Sequence, residues 1–443
     1  MSGGYEVVPN HLSSTSSWHK KREPLHKPPA HISDKDVVDP NLSTKFASPS
    51  FGTQRNSVAK ETEISCSFSE NKAFHKTKDF NMNGLAKEVS GMAISEEEAS
   101  KDAARFGNLF ERLVDDLTGD DLANPEIKQA ALRFKEVLSY NVPHGKRNRG
   151  LSVISSFRYL ASSSQLTDAN LEKAMVLGWC VELLQSYFLI ADDMMDQSKT
   201  RRGSPCWYLK VKGHDAINDS FYVEAAIYKL LKKHISSEPY YVNILELFHE
   251  TNYQTIVGQA LDLMTSETCE GDNNLDRYTQ ERYDAIVKWK TAFYSFYLPV
   301  ALAMYMVGNL DKDSHENAKT ILLEMGHFFQ VQDDFMDCYG DPAVIGKIGT
   351  DIEENKCSWL VVQALKRVSA EQRKLLKDNY GVDQAEKVSE VKRLYRDLNL
   401  QDVFYAYEEE SYEKLMETID TRSGGLPKDM FITYAKRIFK RKK

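Results

Sequence analysis

The chain has no CxxC pair. Its six cysteines, Cys66, Cys180, Cys206, Cys269, Cys338 and Cys357, fall at irregular intervals along 443 residues. That spacing excludes a zinc ribbon, argues against a disulfide scaffold and fits a reducing compartment. A basic excess is also missing: the formal net charge is −8, against the strongly basic face that a general nucleic-acid binder presents. The N-terminal stretch lacks the continuous apolar core of a secretory signal. It is not the Arg-rich, acid-poor composition of a mitochondrial presequence either, since Glu6 comes early and Lys20-Lys21-Arg22 runs straight into Glu23.

Apolar residues are scarce in the same stretch. Only 18 of residues 1–95 are Leu, Ile, Val or Phe, while 15 are serine and 6 of the chain's 13 prolines lie there. So little apolar surface does not offset the entropy of ordering a chain, and residues 1–95 are expected to form a disordered extension. A cytoplasmic address follows, with mitochondrial targeting by the extension as the alternative.

Beyond residue 95 prolines are sparse and strand-like alternation is rare. Apolar residues recur at three- and four-residue spacing, as in 171–190 and 318–331. An all-α body over 96–443 is expected. Residues 291–310 carry no charge, a run long enough to span a bilayer. Pro299, Ser295 and three tyrosines interrupt it, so a helix surrounded by other helices is the better reading, and no membrane span is expected.

What the body does have is two acidic motifs. Asp192-Asp193-Met194-Met195-Asp196 closes one apolar helical segment, and Asp333-Asp334-Phe335-Met336-Asp337 closes another 141 residues later. In a helix the first and last positions of DDxxD share a face, so the carboxylates crowd together. Crowded carboxylates repel unless cations sit among them, and a few hard oxygen ligands suit Mg²⁺ that also binds substrate phosphate. One such motif alone is more often a solvated face. Asp115-Asp116 and Asp120-Asp121 show that acidic pairs also occur outside any motif. Two copies, each after an apolar helix, point to one metal-filled mouth.

Basic residues lie near both motifs: Gly145-Lys146-Arg147-Asn148-Arg149-Gly150, Arg201-Arg202-Gly203, Lys290-Thr291, Gly346-Lys347 and Lys356. Glycine-flanked basic loops let backbone and side chains approach phosphate closely. Singly, each is an ordinary solvated charge; together with the acidic motifs they suggest two phosphate-bearing substrates.

These strings, with Gly258-Gln259-x-x-Asp262-Leu263, Lys290-Thr291-Ala292-Phe293-Tyr294, Leu177 to Gln185, Asp215 to Asp219 and Asn355 to Leu360, resemble the trans-prenyltransferases (trans-isoprenyl diphosphate synthases). The eukaryotic branch that makes farnesyl diphosphate is the most similar. The resemblance covers about 105–443, in order. His144 departs from it, standing where the family usually has a second glycine.

The resemblance implies an all-α, isoprenoid-synthase-type helical bundle with a central active-site cavity, so that 96–443 is the catalytic domain of a usually homodimeric, Mg²⁺-dependent enzyme. It joins isopentenyl diphosphate head to tail to dimethylallyl and then geranyl diphosphate. It also implies the roles that follow. Asp192, Asp196 and Asp333 hold the metal, supported by Asp193, Asp334 and Asp337. Arg201, Lys290, Thr291, Gln330, Lys347 and Lys356 serve the allylic diphosphate. Lys146, Arg149, Gln185 and Arg202 hold isopentenyl diphosphate without metal. The Thr291 hydroxyl and the Lys290 carbonyl stabilise the carbocation, and Tyr187 and Phe188 set product length. From spacing alone, those two rings could equally be core packing. The basic tail 436–443 is either a solvated tail or a lid carrying Arg441. Three rivals remain: a geranylgeranyl diphosphate synthase, a terpene cyclase on the same fold, and a catalytically dead interaction protein.

Overall fold

The computed structural model describes residues 94–267, 274–341 and 349–439. Helices account for nearly all of it. The first four are α1 (Glu96–Ala123), α2 (Lys128–Asn141), α3 (Asn148–Leu160) and α4 (Asp168–Met195). A hairpin of β1 (Thr200–Arg201) and β2 (Ser204–Pro205) and the one-turn α5 (Trp207–Lys210) lead to α6 (Asp215–His234) and α7 (Tyr241–Ser266). Next comes a run of three helical pieces: α8 (Gln280–Ile286), a π-helical segment (Val287–Tyr297) and α9 (Leu298–Met306). The chain closes with α10 (Lys312–Tyr339), α11 (Trp359–Leu365), α12 (Ala370–Asn379), α13 (Ala385–Asp397), α14 (Leu400–Arg422) and α15 (Lys428–Ile438).

Local chemistry sets several starts. Ser95 and Glu98 form a reciprocal capping box at α1, whose first turn is acidic. Thr167 caps α4 by accepting from Asn170 N, and Asp311 caps α10 by accepting from Ser314 N. Helix α4 is a central element, packed on α3 and α6. It is the one helix among the described residues long and apolar enough to cross a membrane, but 78% of that window is buried inside the fold. The uncharged run is buried as well. Residues 298–304 are all buried, with Pro299 at the point where the π-helical segment passes into α9 without a break.

The π-helical segment lies between α7 and α10. Gly258 makes this possible: a Cβ there would stand 2.0 Å from Lys290 N. Wide-turn segments of this kind gather at functional sites, and this one carries Lys290 and Thr291.

Candidate active site

The acidic motifs stand at the C-terminal ends of α4 and α10, each 28 residues long. A helix C-terminus carries partial negative charge, so aspartates there are disfavoured unless cations compensate. Around Asp192 the compensation is visible. Lys290 Nζ lies 3.1 Å from Asp192 Oδ1 and 2.6 Å from Asp262 Oδ2. Lys356 Nζ lies 2.7 Å from Asp196 Oδ2 and 3.0 Å from the same Asp262 oxygen. Gln259 Nε2 donates to Asp192 Oδ1 at 2.9 Å, and Arg201 Nε donates to Asp193 Oδ1 at 2.9 Å. Five elements therefore converge: the end of α4, β1, α7, the π-segment and the loop before α11.

The charges differ in character. Burial alone would push Asp192 up, but Lys290, Lys356 and Arg201 outweigh it and hold the carboxyl down at about 2. Asp262 is also lowered: burial opposes, and Lys290 and Lys356 prevail. Asp196 is raised by burial and by the neighbouring Asp192. Burial pushes Glu354 up to about 7, with Asp196 adding to it.

The second motif has an inward and an outward part. Asp334 is buried; its Oδ1 accepts from Gln330 Nε2 at 2.9 Å and its Oδ2 from Trp359 N at 2.7 Å. Burial pushes its carboxyl up to about 7 despite those donors. Asp337 Oδ1 accepts from Asp351 N at 3.1 Å. Asp333 is half-buried on the same helix end. Asp193, Asp334 and Asp337 thus bind protein donors and fix the helix ends.

Among the described residues, no group of three or more acids, histidines or cysteines is close enough to hold an ion unaided. The donor set nevertheless fits Mg²⁺. It is all carboxylate oxygen, and Asp192 and Asp262 are kept ionised. The contacts above set four carboxylates (Asp192, Asp193, Asp196, Asp262) against three cations (Arg201, Lys290, Lys356), an anionic surplus.

Beside this cluster lies a cavity of about 710 Å³ whose lining includes Lys146, Arg149, Gln185 and Arg202. All four residues expected to hold isopentenyl diphosphate thus meet in one chamber, of ordinary ligand-pocket size. Arg149 Nε donates to Ser295 Oγ at 2.9 Å, and its guanidinium lies 5.0 Å from the Tyr294 ring centroid. The hairpin separates neighbours: Arg201 faces the acids, whereas Arg202 reaches the cavity. It does so through a two-residue turn in which Arg202 and Gly203 both have positive φ, 53° and 78°, the type I′ geometry. Phe296, Val300, Leu322 and Phe329 give the same cavity an apolar wall.

The other expected residues fall as follows. Thr291 is half-buried beside Lys290 in the π-segment, and Gln330 is taken up by Asp334. Tyr187 and Phe188 lie together on α4, with ring centroids 4.2 Å apart. Lys347 and Arg441 lie outside the described residues. Nearer members of the C-terminal segment, Tyr434 and Arg437 of α15, do line the cavity. Sequence reasoning assigned no role to Asp262, Gln259, Glu354 or Glu182. The Gly258-Gln259-x-x-Asp262 string contained the signal for the first two.

The Polyprenyl synthetase family model matches residues 132–398, a span that holds both acidic motifs and the basic loop. The chain belongs to this family. Among curated relatives, the farnesyl pyrophosphate synthase of Gallus gallus is 54% identical over 344 residues, 77% of this chain and 93% of that one. That of Homo sapiens is 53% identical over 339 residues, covering 76% and 80%. That of Saccharomyces cerevisiae is 46% identical over 344 residues, covering 76% and 97%. Among solved structures, T. brucei farnesyl diphosphate synthase complexed with risedronate superposes with a TM-score of 0.71 at 32% identity, covering 77% of this chain and all of that one. This polyprenyl synthetase is a prenyltransferase, as its motifs imply.

Proposed function

We propose that the chain is a Mg²⁺-dependent farnesyl diphosphate synthase. It joins isopentenyl diphosphate to dimethylallyl diphosphate, and then to the geranyl diphosphate so formed. The observation that carries this reading is the pairing of two unlike subsites: a carboxylate and lysine cluster beside a cationic cavity. The high identity to farnesyl pyrophosphate synthases supports it.

The allylic C–O bond must ionise, and diphosphate leaves poorly while its charge is uncompensated. Lys290, Lys356 and Arg201 are the cations at hand for that leaving group, already gathered and partly dehydrated. Mg²⁺ held by Asp192, Asp196 and Asp333 would supply further neutralisation there. Isopentenyl diphosphate sits apart on Lys146, Arg149, Gln185 and Arg202, because two diphosphates in one cradle would repel. The allylic cation then meets the alkene, a C–C bond forms, and the resulting cation gives up a proton to the released diphosphate, the base at hand, which restores a double bond. The Thr291 hydroxyl and the Lys290 carbonyl offer dipoles to the cation, and apolar walls exclude the water that would trap it.

Incubation with labelled isopentenyl and dimethylallyl diphosphates plus Mg²⁺ tests the reading. The expected product is C15. A C20 product would indicate a geranylgeranyl synthase, a cyclic hydrocarbon a terpene cyclase, and no turnover an interaction protein. The complete isopentenyl cradle already argues against a cyclase, which has no second substrate to hold.

The reading includes a homodimer. Large apolar side chains stand exposed on α6 and α7: Phe221 is 60% exposed, Tyr253 64% and Met264 69%, and Val242 and Ile256 are exposed too. Several large apolar side chains exposed on two helices suit an interaction surface. Placing a charge there with Tyr253→Glu and Ile256→Glu together is expected to convert a dimer of about twice the chain mass to monomer in light scattering. An unchanged mass would remove this face from consideration.

A further inference from the structure

Helix α3 begins without a cap of its own. Its N-cap residue, Arg147, has a left-handed φ of 52° and makes no side-chain cap bond. The orphan amide of Gly150, buried at the third helical position, is instead met from another helix: it donates to Glu182 Oε1 of α4 at 2.8 Å. Glu182 is 1% exposed. The first turn of α3 thus takes its cap from across a helix–helix contact.

That contact is close. A Cβ on Gly178 would stand 2.7 Å from the Gly150 carbonyl oxygen, so the two backbones touch where α3 and α4 cross. Gly178, Glu182 and Gln185 are spaced four and three residues apart, which places them on one face of α4. Along that face lie, in turn, the backbone contact, the cap and a cavity-lining amide. Lys146 and Arg149 flank the capped turn, and Arg202 Nη2 lies 3.4 Å from Gln185 Oε1. Glu182 does not line the cavity, so it does not touch a ligand there.

We propose that Glu182 is a positioning residue for isopentenyl diphosphate. Its bond to the Gly150 amide locks the start of α3 onto α4, and this sets Lys146 and Arg149 against Gln185 and Arg202. The inference rests on the proposed assignment of this cavity to isopentenyl diphosphate. It predicts an effect on one substrate only, because the helix that Glu182 caps, α3, contributes no residue to the allylic cluster, which is built from the end of α4, β1, α7, the π-segment and the loop before α11.

The test is steady-state kinetics on the full chain with each diphosphate varied in turn. Glu182→Ala is expected to raise KM for isopentenyl diphosphate by about tenfold or more, a loss of about 1.4 kcal/mol, with KM for dimethylallyl diphosphate unchanged. Glu182→Gln keeps a carbonyl oxygen for the amide and is expected to restore most of the loss. Equal rises in both KM values, a fall in kcat alone, or a Gln variant as impaired as the Ala variant would each overturn the proposal. If the alanine variant does not fold, Glu182→Asp takes its place. It keeps the charge but falls one methylene short of the amide, and an unchanged KM for isopentenyl diphosphate there is equally fatal. Failure of the unmodified chain to condense the two diphosphates would strike the underlying reading instead, and the control reaction shows it before any variant is compared.

Discussion

Asp192→Ala and Asp333→Ala are each expected to cut kcat/KM by about a thousandfold or more, the loss of several kcal/mol of charge stabilisation at the leaving diphosphate. EDTA should abolish turnover in the unmodified chain, and added Mg²⁺ should restore it. Asp192 is the sharper case. Its carboxyl is held at about 2 by Lys290, Lys356 and Arg201 against the push of burial, so it stays ionised across the whole working pH range. Its folded value is depressed, so the stabilisation it contributes is present above the ordinary aspartate range and is lost as pH falls through that range toward about 2. Activity lost by Asp192→Ala near neutral pH therefore cannot be restored by shifting pH. Folding should survive the substitution, because Lys290 keeps its 2.6 Å partner in Asp262. Near-normal turnover in either variant would remove metal-assisted ionisation from the mechanism.

The acidic motifs were legible because they repeat. The same five-residue pattern closes two apolar helical segments, and repetition separates a site from a solvated face. The isopentenyl cradle was legible in residue type, but its geometry was not. Lys146 and Arg202 are 56 positions apart, and only the α3–α4 crossing and the hairpin turn bring them to one cavity. Asp262 shows where reading by composition fails. It is a lone acid in a helical segment, and its importance comes from two lysines that arrive from the π-segment and the loop before α11. Glu182 was hidden differently, as a single charge within Trp-Cys-Val-Glu-Leu-Leu that looks like an interruption of a core helix. The uncharged run 291–310 was readable as buried helix. Its π-helical start was not, because the residue types of 287–297 carry no mark of a wider turn, and the close approach of Lys290 to Gly258 is visible only in the fold.

Replacing both Tyr187 and Phe188 with alanine is expected to move product from C15 toward C20 and longer. The two rings lie five and four residues before Asp192 on α4, and one helical turn is about 5.4 Å, so they stand roughly a turn deeper than the metal-binding end. A prenyl tail hanging from diphosphate at Asp192 would run down this helix toward them. Their environments differ. Tyr187 is buried, its hydroxyl donates to Asn252 Oδ1, and Asn252 Nδ2 in turn donates to Glu224 Oε1 at 2.8 Å. Phe188 is half-buried and leans on the Tyr187 ring at 4.2 Å. Tyr187 is thus clamped to α6 and α7, and Phe188 is braced by it. Removing both rings should cost up to roughly 3–5 kcal/mol each in stability, with a further penalty for the polar partners left unmet. Tyr187→Phe separates the two roles of that residue. It keeps the ring and loses the clamp, so it should cost about 1 kcal/mol of stability and leave product length unchanged. Chromatography of the dephosphorylated alcohols reads the outcome. If the folded double-alanine variant still stops at C15, the rings are core packing, and the floor that ends elongation lies elsewhere along the tail's path.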